Sequence, residues 1–286
     1  MDNLKAKKRH PEEIAVYTAI YVCAAFSVLL LLGIIIYVFA KGARRVNWAF
    51  LTGVTSILHG TVGIAGNILN TLIIILLTMI ITTPIGVGAA IYLNEYAKPG
   101  KLVTVIIFAT ETLAGIPSII FGLFGMLFFG QLCHMGYSLL TGSLTLTLMV
   151  LPLVTRNTQE ALKTVPDSFR TGAVGLGAGK WYTIRTILLP SAMPGIVTGV
   201  ILAIGRIIGE SAALLFTAGS AHLLPKTFNA FLEKIFHSGG TLTIQLYLSA
   251  SKGEFEEAFG IAVVLLVIVL LINFGTKRLA KKLEKH

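Results

Sequence analysis

The sequence predicts an all-α, polytopic membrane protein with six transmembrane helices, and three observations carry that prediction. Of the 286 residues, 55% are hydrophobic and 13% charged, where a soluble domain carries about 25% charged residues. The apolar residues fall into stretches long enough to cross a bilayer core, which takes about 20 residues as a helix. The basic residues collect beside the ends of those stretches, as membrane topology requires, and form no single patch of the kind that binds nucleic acid. Cys23 and Cys133 have no metal-like spacing and are not expected to pair.

The first apolar run, 14–40, follows Lys5, Lys7, Lys8 and Arg9. It is about twice the length of a secretory signal core, so it is read as a permanent span. The remaining spans are expected at 67–93, 102–130, 143–157, 194–219 and 255–275. The fourth is the shortest and ends in polar residues. With the N-terminus inside, the inner segments hold 16 Lys and Arg, the outer loops six, and Arg206 lies within a span. That asymmetry predicts a multi-pass plasma membrane protein with both termini cytoplasmic. Three regions follow: 1–65, with the first span and an outer loop; 66–275, a core of five spans; and 276–286, a basic tail.

Two loops are long enough to hold structure. The outer segment "LLPKTFNAFLEKIFHSGG" places Leu224, Phe228, Phe231, Leu232 and Ile235 on one helical face, predicting an amphipathic helix that ends at Gly239-Gly240. In the inner loop, 155–192, Pro166 followed by Asp167 is a helix-start signal. Gly175, Gly177 and Gly179 then interrupt the pattern, and a second helical run leads to Pro190. Two short helices around a glycine turn would project into the cytoplasm. Val174, Leu176, Trp181, Ile184 and Ile187 would need a partner surface. "GLGAGK" is not a phosphate-binding loop, because Val174 stands where that motif needs Gly and Trp181 where it needs Ser or Thr.

This loop resembles the coupling loop of ABC importer permeases, whose pattern is Glu-Ala-Ala, three residues, Gly, nine residues, Ile, any residue, Leu-Pro. Ala173, Gly177, Ile187, Leu189 and Pro190 fall at that spacing, while Thr171 and Gly172 replace the first two residues. The resemblance spans roughly residues 66–275 and implies the type I ABC importer permease fold. "RIIGESAALLFTAG" and "LAGIPSIIFGLFG" are similar to the A-type permease of phosphate importers. The implied partners are a sister permease, two ATPase subunits and an external phosphate-binding protein. No cofactor is expected in this chain, since ATP and Mg would sit on the ATPase subunits. The expected function is therefore that of a permease and not an enzyme.

Charges inside spans are the candidate pathway residues, since each costs about 2.5–3.5 kcal/mol at the bilayer centre. Arg206 and Glu210 are four apart and would share a helix face. They would either lock two helices as an ion pair or form an anion site, in which the guanidinium offers planar donors and the carboxylate accepts a P–OH hydrogen bond that sulfate lacks. Glu111 would be protonated and buried, paired with Arg206, or on the path. Pro117 is expected to kink the third span and free the carbonyl near Leu113, with Ser118 beside the exposed backbone or a bend filled by neighbours. Gly195-Gly199 and Gly205-Gly209 have the spacing for close helix packing. The alternatives are a permease for sulfate or molybdate, or an anion transporter driven by an ion gradient. A membrane-embedded enzyme lacks support, as no HExxH or GxSxG motif is present.

Overall fold

The computed structural model describes residues 11–56, 61–225 and 227–283. Lys5, Lys7, Lys8, Arg9 and Lys285 of the tails, and His59 and Lys226 of the loops, lie outside them. The chain forms α1 (Pro11–Gly42), α2 (Trp48–Thr52), a hairpin of β1 (Val54–Ser56) and β2 (Thr61–Ile64), and α3 (Ala65–Ile91), which continues as a π-turn over Tyr92–Tyr96. Then come α4 (Lys101–Gly115), α5 (Ser118–Gly125) and α6 (Leu139–Lys163), followed by α7 (Asp167–Gly175), α8 (Lys180–Thr183) and α9 (Leu189–Ile208). The last four are α10 (Ala212–Thr217), α11 (Phe228–Glu233), α12 (Leu242–Ser251) and α13 (Phe255–Leu283).

Among the described residues, five helical segments are long and apolar enough to cross a membrane: Ala15–Gly42, Ala65–Tyr96, Leu139–Lys163, Lys180–Ile208 and Phe255–Arg278. The expected third span is instead a broken pair. α4 stops at Gly115, and Ser118–Leu132 departs from it by 103°. Pro117 lacks an N–H and disfavours helical geometry at Ile116, which lies at φ −73°, ψ 132°. The Leu113 carbonyl is not freed, because it accepts the Ile116 N–H at 3.3 Å.

The weakest span by hydropathy is the most buried one. α6 runs from Leu139 to Lys163, well beyond the expected 143–157, and two-thirds of its apolar window is buried. Its hydroxyls lower the hydropathy without exposing polarity. Ser143, Thr145 and Thr147 each donate to the carbonyl four residues back at 2.8 Å. Satisfied in this way, they let a polar-looking helix occupy the centre of the bundle. α3, α6 and α9 pack together around Ile73, Leu146, Val150, Val154, Ala203 and Ile207.

Close approach between α6 and α9 depends on glycine. A Cβ at Gly195 would lie 2.5 Å from Ala161 Cβ, and one at Gly199 would lie 2.6 Å from Asn157 Cβ. The Gly195-Gly199 spacing thus marks a helix crossing, as expected. Gly205-Gly209 does not mark one within this chain, since a Cβ at Gly205 would meet nothing within 4 Å.

At the end of the bundle bearing the hairpin, the expected amphipathic helix is short. α11 has six residues and passes into a 3-10 turn over Lys234–Phe236. Its apolar residues split between two faces: Phe231 and Ile235 pack against the core, while Phe228 and Leu232 are exposed. Between those two faces Lys234 is buried, donating to the Leu223 carbonyl, and burial lowers its pKa. Asn67 and Asn70 of α3 fasten this region by donating to the Gly240 carbonyl, each at 3.0 Å.

Candidate functional site: a basic pocket and a projecting loop

The expected fifth span is also broken. α9 ends at Ile208, and Gly209–Ser211 separate it from α10. Arg206 therefore lies in the last turn of a helix, where a cation is favoured by the helix dipole. Glu210 lies beyond that turn, so the two do not share a helix face, and no ion pair joins them among the described residues. Glu210 is buried, and its Oε1 accepts the Ala213 N–H at 3.0 Å, capping the start of α10. Thr243 of α12 donates to the Glu210 carbonyl at 2.8 Å. A carboxylate is held here because the first amides of a helix have no partner of their own.

Arg206 meets Glu111 elsewhere. Both line a pocket of about 160 Å³ with Thr110 and Ala114 of α4 and with Met149, Pro152, Leu153 and Arg156 of α6. Pro152 of this wall has no N–H to give to the Leu148 carbonyl inside α6. Two guanidiniums against one carboxylate leave one net positive charge in the pocket. The ion pairs among the described residues lie elsewhere, at Arg45–Glu257, Lys163–Glu160, Arg170–Glu95 and Arg170–Asp167.

Arg156 is the residue that sequence reasoning missed. It falls where the expected span 143–157 overlaps the expected inner loop 155–192, whereas α6 continues for seven residues beyond it. Its signal was helical spacing from Pro152 and Met149, which place it on the same face. Ser118 does not line this pocket. It opens α5, which packs on α10 so closely that a Cβ at Gly122 would lie 2.8 Å from Ala213 Cα.

The projecting loop is shorter than 155–192, since α6 and α9 claim both ends. α7 and α8 form it, turning at Gly177, whose φ of +78° suits glycine. Pro166 and Asp167 start α7 as expected. Ala173 is buried, while Leu176 is 91% and Trp181 58% exposed, with Val174 also exposed. Ile184 needs no external partner, because it packs with Leu162, Val165 and Leu188. Ile187, Leu189 and Pro190 belong to the helical run Lys180–Ile208, which holds together through a π-turn over Ile184–Leu188.

One guanidinium fixes this loop to the bundle. Arg170 pairs with Glu95 at 2.9 Å and with Asp167 at 3.0 Å. It also donates to the Leu162 and Val165 carbonyls, both at 3.0 Å. The Glu95 hydrogen bond, first among several causes, raises the Arg170 pKa above its ordinary value.

Residues 82–286 match the family model of the binding-protein-dependent transport system inner membrane component. The chain belongs to this family. A probable ABC transporter permease of Bacillus subtilis, YqgI, is 36% identical over 273 residues, covering 92% of this chain and 93% of the relative. The phosphate transport system permease PstA of Xylella fastidiosa is 35% identical over 246 residues, covering 84% and 82% of the two chains. Among solved structures, a chain of a bacterial alginate ABC transporter aligns over 96% of both chains with a TM-score of 0.71 at 14% identity. The family fold, a type I importer permease, is thus present with its helix breaks and projecting loop.

Proposed function

We propose that this chain is the A-type permease subunit of an ATP-driven phosphate importer. It would form half of the pathway beside a sister permease, with an external phosphate-binding protein at the hairpin end. Two ATPase subunits, carrying ATP and Mg, would dock on the α7–α8 projection. Both termini would then be cytoplasmic, in agreement with the distribution of Lys and Arg. The convergence of Arg206, Arg156 and Glu111 on one pocket carries the reading. Guanidiniums present planar donors that match phosphate oxygens. Phosphate near neutral pH still carries a proton, and the Glu111 carboxylate can accept it in a hydrogen bond that sulfate cannot make. That role passes from Glu210 to Glu111, because Glu111 lines the wall with Arg206. Glu210 and Ser118 would border the path at the starts of α10 and α5.

PstA-type relatives support phosphate as the substrate. The test is uptake into liposomes holding this chain, its sister permease and the ATPase subunits, with the binding protein added. Phosphate uptake is expected to need ATP, to resist competition by sulfate and molybdate, and to collapse in Arg206→Gln while assembly and basal ATP hydrolysis survive. Normal uptake in that variant would remove Arg206 from the path. Preferred uptake of sulfate or molybdate would reassign the substrate, and uptake without the ATPase subunits would point to a gradient-driven carrier.

A further inference from the structure

Glu95 and Tyr96 are consecutive residues at the end of the π-turn that closes α3, and each holds a different arm of the projecting loop. Glu95, nearly buried, takes the Arg170 guanidinium of α7 through Oε1 at 2.9 Å and Oε2 at 3.5 Å. Asn94 Nδ2 supports the same Oε1 at 2.7 Å. The Tyr96 ring takes the Lys180 ammonium of α8, whose Nζ lies 4.6 Å from the ring centroid. Arg170 simultaneously satisfies the Leu162 carbonyl in the last turn of α6, where carbonyls lack helical partners, and the Val165 carbonyl just beyond it. One turn of α3 therefore joins the ends of α3 and α6 to both short helices.

Apart from Ile184, which packs with Leu162 and Val165, and the buried Ala173 of α7, the loop has few other means of staying rigid. α7 spans nine residues, α8 opens the longer helical run Lys180–Ile208, and Gly175, Gly177 and Gly179 interrupt the segment between them. A Cβ at any of these glycines would meet nothing within 4 Å. Such a hairpin would bend under a push at its exposed tip, Val174 to Trp181, unless its arms were fixed at their base.

We propose that Glu95 and Tyr96 are positioning residues for energy coupling: they clasp both arms of the projection so that displacement of its tip turns α3 and α6 instead of flexing the loop. The inference rests on the docking of ATPase subunits proposed above. It differs from a purely structural role in its readout. A clasp needed only for folding governs how much complex forms, whereas a lever governs how much substrate moves per ATP consumed.

The experiment measures phosphate taken up per ATP hydrolysed in liposomes holding the full complex, for wild type, Glu95→Gln, Tyr96→Leu and Tyr96→Phe. Glu95→Gln and Tyr96→Leu are expected to lower that ratio by about fivefold or more, the low end of coupling between distant sites, while hydrolysis per assembled complex continues. Tyr96→Phe keeps the aromatic face that binds the cation and is expected to match wild type. Should Glu95→Gln fail to assemble, Tyr96→Leu still reads the clasp, because that ring is 43% exposed and contributes little to the core. An unchanged ratio in Tyr96→Leu and in any Glu95 variant that assembles overturns the proposal. A wild-type complex whose uptake ignores ATP overturns the importer reading instead.

Discussion

Replacing Arg156 by glutamine removes one of the two guanidiniums facing Glu111 and takes the pocket from one net positive charge to none. The side chain sits seven residues before the end of α6 and makes no ion pair among the described residues, so its loss breaks no salt bridge. What is lost is attraction for an anion. A hydrogen bond to a charged group contributes about 1.5–3 kcal/mol, and each 1.4 kcal/mol is about a factor of ten, so uptake efficiency falls roughly 10–100-fold. The assay is initial uptake in liposomes against phosphate concentration, with the amount of assembled complex measured in parallel. Uptake by Arg156→Gln within about twofold of wild type, below the loss of even one such bond, would refute the assignment.

Two further predictions concern stability. Glu210→Ala removes the acceptor for the Ala213 amide and is expected to cost about 0.5–2 kcal/mol, as other lost helix caps do. Glu210→Gln keeps an oxygen there, so thermal unfolding of the purified complex should separate the two, and equal losses would deny the capping role. Gly199→Val forces a Cβ to within 2.6 Å of Asn157 Cβ and is expected to cost about 1–3 kcal/mol through overpacking. Gly205→Ala in the same helix meets nothing within 4 Å and should leave the melting temperature unchanged.

The positions of the spans were legible because burial in lipid requires long apolar helices, and the chain carries them. The break at Pro117 was legible too, since a missing N–H and a ring clash act locally, although its 103° size follows from how α5 packs on α10. The break after Ile208 was hidden. Residues 194–219 are apolar throughout most of their length, and hydropathy averages over Gly209-Glu210-Ser211 without registering that the chain turns there. Arg156 was hidden for the opposite reason. A charge at the edge of an apolar run reads as the start of a loop, as the overlap of 143–157 with 155–192 reflects, whereas a helix continues when the charge faces a cavity. The Arg206–Glu210 spacing misled because four residues share a face only while the helix lasts. The Glu95–Arg170 contact joins residues 75 positions apart, and no periodicity reports a pairing made across the ends of two helices.

α1 stands apart from all of this. None of its most apolar window is buried within the chain, and its packing against α13 is concentrated where Tyr37 meets the Phe259 ring edge-on at 5.7 Å and Gly42 lies beneath the Phe259 carbonyl. Thermodynamically it is a largely separate unit, tied to the rest mainly through the contacts with α13 at its C-terminal end. The free energy of inserting α1 is then decoupled from the free energy of folding the bundle. Mutations along its length are expected to change its depth and tilt while leaving the packing of α3, α6 and α9 untouched.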